Sequence, residues 1–108
     1  MRVYLPLNLA SLGRYVEAGA VPASVEKFTA TDEREESEYA ALMAAADACA
    51  ADLLVGGRRV VLVAEVPRLD GPVPMSMVVA VHADTEDHPD PDADLAWFAT
   101  QEIPDLLS

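Results

Sequence analysis

Residues 60–66 constrain the fold more than any other part of this sequence. They read Val-Val-Leu-Val-Ala-Glu-Val, so only Glu65 interrupts the apolar run. Side chains along a strand alternate between the two faces of its sheet, and here both sets are apolar. The run therefore predicts a strand that is covered on both faces, by helices of the same chain or by a second subunit.

A hairpin is predicted to follow from this strand. Residues 75–83 are also rich in apolar residues, and the link at 67–74 carries Asp70-Gly71 and three prolines. Such a short, turn-forming link favours antiparallel pairing of the two strands. Alternation then divides the second strand between two faces. One face holds Met75, Met77, Val79 and Val81, and the other holds Ser76, Val78, Ala80 and His82.

The N-terminal part of the chain predicts a strand, a helix and another strand. Residues 2–7 are β-branched, aromatic and aliphatic, which favours a strand. Asn8 is a typical N-cap for a helix of about ten residues, and Gly19 is a typical stop. Residues 24–30 then predict a second strand, with Val25 and Phe28 on opposite sides.

The longest helix is predicted to begin at Thr31 or Asp32 and to end at Gly56-Gly57. Glu35 completes a capping box with Asp32. The acidic start of the helix, together with Arg58 and Arg59 after its end, matches the helix dipole. One apolar stripe follows the helical period: Tyr39, Leu42, Met43, Ala46, Ala50, Leu53 and Leu54.

The C-terminal part predicts an acidic loop and a last helix. Residues 84–94 hold six carboxylates and read as a solvated loop. From about Asp92, helical spacing relates Leu95, Phe98, Ala99, Ile103 and Leu106, and Pro104 ends or kinks this helix.

The order of elements is thus β-α-β-α-β-β-α within a single domain, 1–108, without a linker. We expect an α+β fold with a mixed four-stranded sheet, a two-layer sandwich that the C-terminal helix completes. The first two helices are expected on one face of the sheet. The other face then needs the last helix or a second subunit.

The charge of the chain excludes several classes of partner. Seven Lys and Arg face nineteen Asp and Glu, for a formal charge of −12. Phosphate backbones and anionic lipids both need basic residues, so we expect neither nucleic acid nor membrane as a partner. The single cysteine, Cys49, excludes an intrachain disulfide, favours a cytoplasmic location and reads as a small buried hydrophobe.

No catalytic, nucleotide-binding or metal-binding motif is present in the sequence. Residues 90–94 have the carboxylate spacing that opens a calcium-binding EF-hand loop, but Leu95 and Gln101 replace the required glycine and glutamate. We therefore predict no metal site, no cofactor and no catalytic residue, and the sequence favours a noncatalytic protein while leaving enzymatic activity open.

Trp97, Gln101 and Glu102 concentrate aromatic and hydrogen-bonding groups in one short segment. One hypothesis is a noncatalytic interaction or regulatory domain, whose protein partner, a second copy or another chain, meets the Trp97 region or the acidic loop. The alternative is a small enzyme or ligand binder. Its pocket would lie between the last helix and the sheet, lined by Trp97, Gln101, Glu102, His82 and Tyr4.

The two ends of the chain resemble a family of uncharacterised actinobacterial proteins. The resemblance rests on Met1-Arg-Val-Tyr-Leu-Pro at the start, Glu38-Tyr-Ala-Ala-Leu in the centre and Trp97-Phe-Ala-Thr-Gln-Glu-Ile-Pro-Asp-Leu-Leu at the end. Nineteen Ala and six Arg against one Lys and one Ile are typical of a GC-rich genome. The resemblance implies an intact cytoplasmic domain and carries no activity.

Overall fold

The computed structural model describes residues 1–52, 57–86 and 93–108, and it confirms the α+β class. Two short 3₁₀ turns lie at Met75–Met77 and Thr100–Glu102. Within the described ranges, no helix is long and apolar enough to cross a membrane. The elements are β1 (Arg2–Leu7), α1 (Leu9–Ala18), β2 (Ala20–Val21), α2 (Glu35–Asp52), β3 (Val60–Glu65), β4 (Val73–Pro74), β5 (Val78–Ala83), β6 (Ala96–Phe98) and α3 (Ile103–Leu107).

The main sheet has the strand order β1-β3-β5-β6, and each of these pairs is antiparallel. The hairpin of β3 and β5 is therefore confirmed, but the sheet is antiparallel where a mixed one was expected. The reason lies in residues 24–30, which do not form the predicted strand and contribute only a bridge between Phe28 and Tyr4. The short strand β2 instead pairs with β4 outside the main sheet.

Both faces of β3 are buried, as its sequence predicts. Val60, Leu62 and Ala64 belong to one core cluster together with Leu12 of α1 and Ile103 of α3. The alternate residues of β3 belong to a second cluster with α2. The helices α1 and α2 thus lie on opposite faces, not on one face as expected, and α3 joins α1. The chain covers both faces of β3 itself.

The first helix begins and ends where the sequence predicts. The Asn8 side chain accepts a hydrogen bond from the Ser11 backbone N–H at 2.8 Å, and the Ser11 hydroxyl accepts one from the Asn8 N–H at 3.0 Å. At the other end Gly19 has a φ of 84°, and its N–H donates to the Tyr15 carbonyl at 2.8 Å. This left-handed backbone conformation favours glycine.

The long helix α2 starts at Glu35, later than predicted, because Asp32 caps a turn before it. The Asp32 carboxylate accepts from the Arg34 N–H at 2.9 Å. The buried stripe is also rotated from the predicted one, since Tyr39 is 52% exposed. Two predicted positions, Ala46 and Leu42, do pack on the sheet. They are joined by three small residues that the predicted stripe did not include: Ala41, Ala45 and Cys49. The predicted positions Leu53, Leu54 and Gly56 lie outside the described residues.

A β-bulge changes the predicted faces of the second hairpin strand. Val63 pairs with Ala80 and Ala64 pairs with Val78, so Val79 is an extra residue on β5 and is 45% exposed. The alternation is shifted by one position on either side of a bulge. Val78 therefore shares its core cluster with Val81, although the regular alternation placed them on opposite faces.

The last helix is shorter than predicted, because the segment around Trp97 is a strand. Only residues from Ile103 onward are helical, and Pro104 lies in the first turn of α3. Proline has a fixed φ and lacks an N–H, which suits the start of a helix and disfavours its interior. Pro104 therefore opens this helix, whereas the sequence pattern predicted that it ends or kinks one.

The close packing of α2 on the sheet gives a first prediction. Ala45→Leu adds volume at a fully buried position, and overpacking of this kind costs about 1–3 kcal/mol in the free energy of unfolding. Ala40→Leu, at an exposed position of the same helix, is the matched control and should change it by less than about 0.5 kcal/mol. Urea denaturation monitored by circular dichroism measures the free energy of unfolding of both variants. Equal losses in the two variants would contradict the packing.

Candidate functional site

A buried ion pair joins the start of β3 to the end of β5. The guanidinium of Arg59 donates to both oxygens of the Asp84 carboxylate, with Nε–Oδ2 at 2.9 Å and Nη2–Oδ1 at 2.8 Å. The Arg59 backbone N–H also donates to Oδ2, at 2.8 Å. The two side chains are only 1% and 3% exposed. Hydrogen bonding to Asp84 is the main cause that raises the pKa of Arg59.

The same arginine also holds the segment that leads into β6. Its Nη2 donates to the carbonyl of Ala93 at 2.9 Å, while the Asp84 N–H donates back to the Arg59 carbonyl at 3.1 Å. The sequence pattern assigns Arg59 to the helix dipole and Asp84 to a solvated loop. An adjacent Arg-Arg pair and an acidic run do not indicate which members become buried, so sequence reasoning misses this contact.

His82 and Trp97 lie side by side near the edge of the sheet. They are cross-strand partners in β5 and β6, and His82 also pairs with Val61 of β3. Opposed residues on neighbouring strands share a face, so both side chains lie on the face that carries α2. The helix α2 packs mainly against β1 and β3 on this face. His82 is half-buried and Trp97 is 61% exposed.

The other three residues of the predicted pocket lie apart from this pair. Tyr4 is on the same face but only 4% exposed, and burial is the main cause that raises the pKa of its hydroxyl. Gln101 is exposed and Glu102 half-buried in the turn before α3.

Ile103 of α3 packs in the cluster on the opposite face. The sheet therefore separates α3 from Tyr4, His82 and Trp97. The five residues of the predicted pocket are therefore not brought together in one described cluster, and the pocket stays a prediction.

A small acidic cleft adjoins the start of β6. It has a volume of about 270 Å³, and its lining includes Thr85, Glu86, Asp94 and Leu95. One wall is fixed to α2, since the Tyr39 hydroxyl donates to Asp94 Oδ1 at 2.6 Å, and this bond raises the pKa of Tyr39. We call the cleft that these four residues line the acidic cleft. It places two carboxylates beside the strand that carries Trp97.

Metal binding finds no support in the described part of the chain. Among residues 1–52, 57–86 and 93–108 there is no group of three or more His, Cys, Asp or Glu side chains arranged to hold an ion. The carboxylates Asp90 and Asp92, which gave the EF-hand spacing, lie outside the described residues, as does His88.

Comparison with known protein families matches residues 1–91 to a family of unknown function (DUF6912). The match includes the N-terminal motif and the central helix of the resemblance, and it ends before Trp97. No curated protein and no solved structure matches the chain.

The buried ion pair predicts strong coupling between its two members. Arg59→Met alone leaves the buried Asp84 carboxylate without its arginine and should lower the free energy of unfolding by about 3–5 kcal/mol; Asp84→Leu alone removes the bidentate contact and should also be strongly destabilising. The double variant replaces both charges with apolar groups, so it should lose much less than the sum of the two single losses. Urea denaturation of the wild type, the two single variants and the double variant completes a double-mutant cycle. Additive losses of the free energy of unfolding would contradict the pairing.

The position of His82 predicts a pH dependence of stability. Burial lowers the pKa of His82 below its ordinary 6.5, so in mildly acidic solution the unfolded chain binds the proton more readily than the folded one. The contribution of His82 to the free energy of unfolding is fully present above pH 6.5. It is lost as the pH falls below that value, because the unfolded chain then takes up the proton first. The free energy of unfolding, measured between about pH 7.5 and about pH 5, should therefore fall more steeply for the wild type than for His82→Gln. Identical slopes would refute a buried neutral imidazole.

Proposed function

The chain belongs to the DUF6912 family of unknown function, and we propose that it is a noncatalytic protein-interaction domain whose partner binds at β6. The observation that carries this proposal is the position of Trp97. It is the only tryptophan in the chain, it is 61% exposed, and it occupies the centre of a three-residue strand that is last in the sheet order.

An exposed tryptophan is the side chain that a binding surface favours. It offers a large, rigid apolar area with one hydrogen-bond donor, and tryptophan is enriched among the residues that dominate binding energy. An edge strand adds backbone groups that a partner segment can pair with. Trp97 combines the two features in one short element.

The opposite edge of the sheet is less accessible for pairing. On β1, the Tyr4 N–H donates to the Phe28 carbonyl at 2.8 Å, and the Phe28 N–H donates back at 3.0 Å. The part of β5 that β6 does not cover is also a poor edge, because the bulge at Val79 interrupts its regular ladder. Bulges and covered edges both oppose strand addition. These features favour β6 as the place where a partner binds.

The alternative, a small enzyme or ligand binder, lacks a comparable observation. It needs His82, Trp97, Tyr4, Gln101 and Glu102 around one pocket, and the sheet separates α3 from the first three. The described contacts join Arg59 and Asp84 in a salt bridge that is almost wholly buried, and such a pair suits anchoring of the chain better than contact with substrate.

The proposal includes a cytoplasmic location and an actinobacterial origin. The single cysteine is 2% exposed, with its Sγ 3.2 Å from the Val60 carbonyl oxygen, so it is a packed thiol of the kind found in reducing compartments. The Ala-rich and Arg-rich composition with one Lys supports a GC-rich source.

An unbiased peptide library tests the proposal. We expect peptides selected on the immobilised protein to shift the fluorescence emission of Trp97 to shorter wavelength, because binding removes the indole from water. Trp97→Ala should weaken the calorimetric affinity of these peptides more than about tenfold, as expected for a central tryptophan. Leu69→Ala, which removes another exposed apolar side chain in the loop after β3, is the control and should bind normally.

Two results would overturn the proposal. One is that the selected peptides bind Trp97→Ala as well as the wild type. The other is that no selected peptide changes the emission of Trp97. Circular dichroism confirms that both variants remain folded.

A further inference from the structure

We infer that the partner segment is basic and extended, that it adds to the sheet as a fifth strand along β6, and that it places a Lys or Arg side chain in the acidic cleft. The inference rests on the proposed function and specifies the charge and the conformation of the partner segment. Three observations carry it: the distribution of charge, the geometry of the edge and the position of the cleft.

The negative charge of the chain is concentrated in the sequence segment that contains β6. Residues 84–108 contain eight Asp and Glu and neither Lys nor Arg, so they account for −8 of the net −12. The ion pair with Arg59 neutralises one of these carboxylates, that of Asp84. Among the described residues, Glu86 and Asp94 lie beside the start of β6, so a basic segment meets opposite charge there, whereas an acidic segment is repelled.

The geometry of β6 favours an extended segment over a helix. Val81, His82 and Ala83 of β5 pair with its inner side, and its outer side is the end of the four-stranded order. Backbone groups along an edge bind another backbone in the same extended conformation, about 4.8 Å away. With three residues in β6 the pairing is short, so side-chain contacts with Trp97 and the cleft must provide much of the affinity.

The acidic cleft supplies a place for one basic side chain. Glu86 and Asp94 line it, and Ala96, the first residue of β6, borders it. A Lys or Arg of the added strand has a long apolar stem that can pass along the strand while its charged end reaches these carboxylates. Trp97, close by on β6, also presents an aromatic face that attracts a second cation.

A second copy of this chain fits the same edge less well. Pairing of two β6 strands brings the Glu86 and Asp94 carboxylates of two copies towards each other, and like charges across an interface cost affinity. Both faces of β3 are already covered within the chain, so the fold does not require a dimer. The charge therefore favours a different, basic partner.

A synthetic peptide that alternates arginine with valine is the probe. Calorimetry and Trp97 emission should both report binding, and rising sodium chloride should weaken it because salt screens the attraction. The same peptide with glutamate in place of arginine should not bind. A version with N-methyl groups on alternate residues cannot donate along the edge and should also fail to bind.

Paired variants locate the contact on the protein. Glu86→Gln with Asp94→Asn removes two charges from the acidic cleft and keeps hydrogen-bond acceptors, so it should weaken binding of the arginine peptide about fivefold. Glu26→Gln with Glu33→Gln removes the same charge from exposed positions on the β1 side of the molecule and is the matched control. It should change the affinity by less than about twofold.

The outcomes separate this inference from the proposed function. If library peptides bind at Trp97 but the arginine peptide fails, or the N-methylated version binds equally well, the inference is wrong and the interaction domain stands. If neither the library nor the arginine peptide shifts Trp97 emission, both are wrong. A dimer in light scattering that Trp97→Ala dissociates would assign β6 to a second copy and overturn the basic partner.

Discussion

Burial of β3 on both faces is the constraint on which the rest of the structure depends. Its alternating residues belong to two separate core clusters, one shared with α1 and α3 and the other with α2. Covering both faces within a single short chain requires helices on opposite sides of the sheet. The small residues of α2, Ala41, Ala45 and Ala46, allow that helix to approach β3 closely while it spans only part of the sheet. Trp97 of β6 lies on this same face and is 61% exposed.

The Arg59–Asp84 pair fixes the end of the sheet where β3 begins and β5 ends. Burial removes both charges from water, so the attraction and the several hydrogen bonds have to offset a large desolvation cost. Its position explains why that cost is tolerated: one guanidinium joins the ends of β3 and β5 to residue 93, just before β6. A short strand at a sheet edge has few ladder contacts of its own. The ion pair thus connects the stability of the core to the placement of Trp97 and the acidic cleft.

Local patterns predicted the elements best where one residue decides the structure. Asn8 and Gly19 fix the ends of α1 because a side-chain cap and a left-handed residue act within one turn of helix. The hairpin of β3 and β5 followed from its short link for the same reason. Predictions failed where spacing alone was used: the bulge at Val79 reversed an alternation, and apolar residues with helical spacing around Trp97 formed a strand followed by a turn. For the candidate site, the sequence indicated Trp97 and His82, which the sheet pairs directly, together with Gln101 and Glu102, which lie in the turn after β6.

The sequence by itself determined that this chain needs a doubly covered strand, an antiparallel hairpin and a strongly acidic C-terminal quarter, because burial, turn formation and charge depend on residues close together in the chain. Only the tertiary structure decided which face each helix covers, that Asp84 is buried against Arg59 and that Trp97 is exposed on the last strand of the sheet order. Those outcomes depend on contacts between residues far apart in sequence, and one-dimensional spacing does not record them. The same carboxylates that read as a solvated loop thus include one internal anchor, Asp84, and two that line a cleft beside the exposed tryptophan, Glu86 and Asp94.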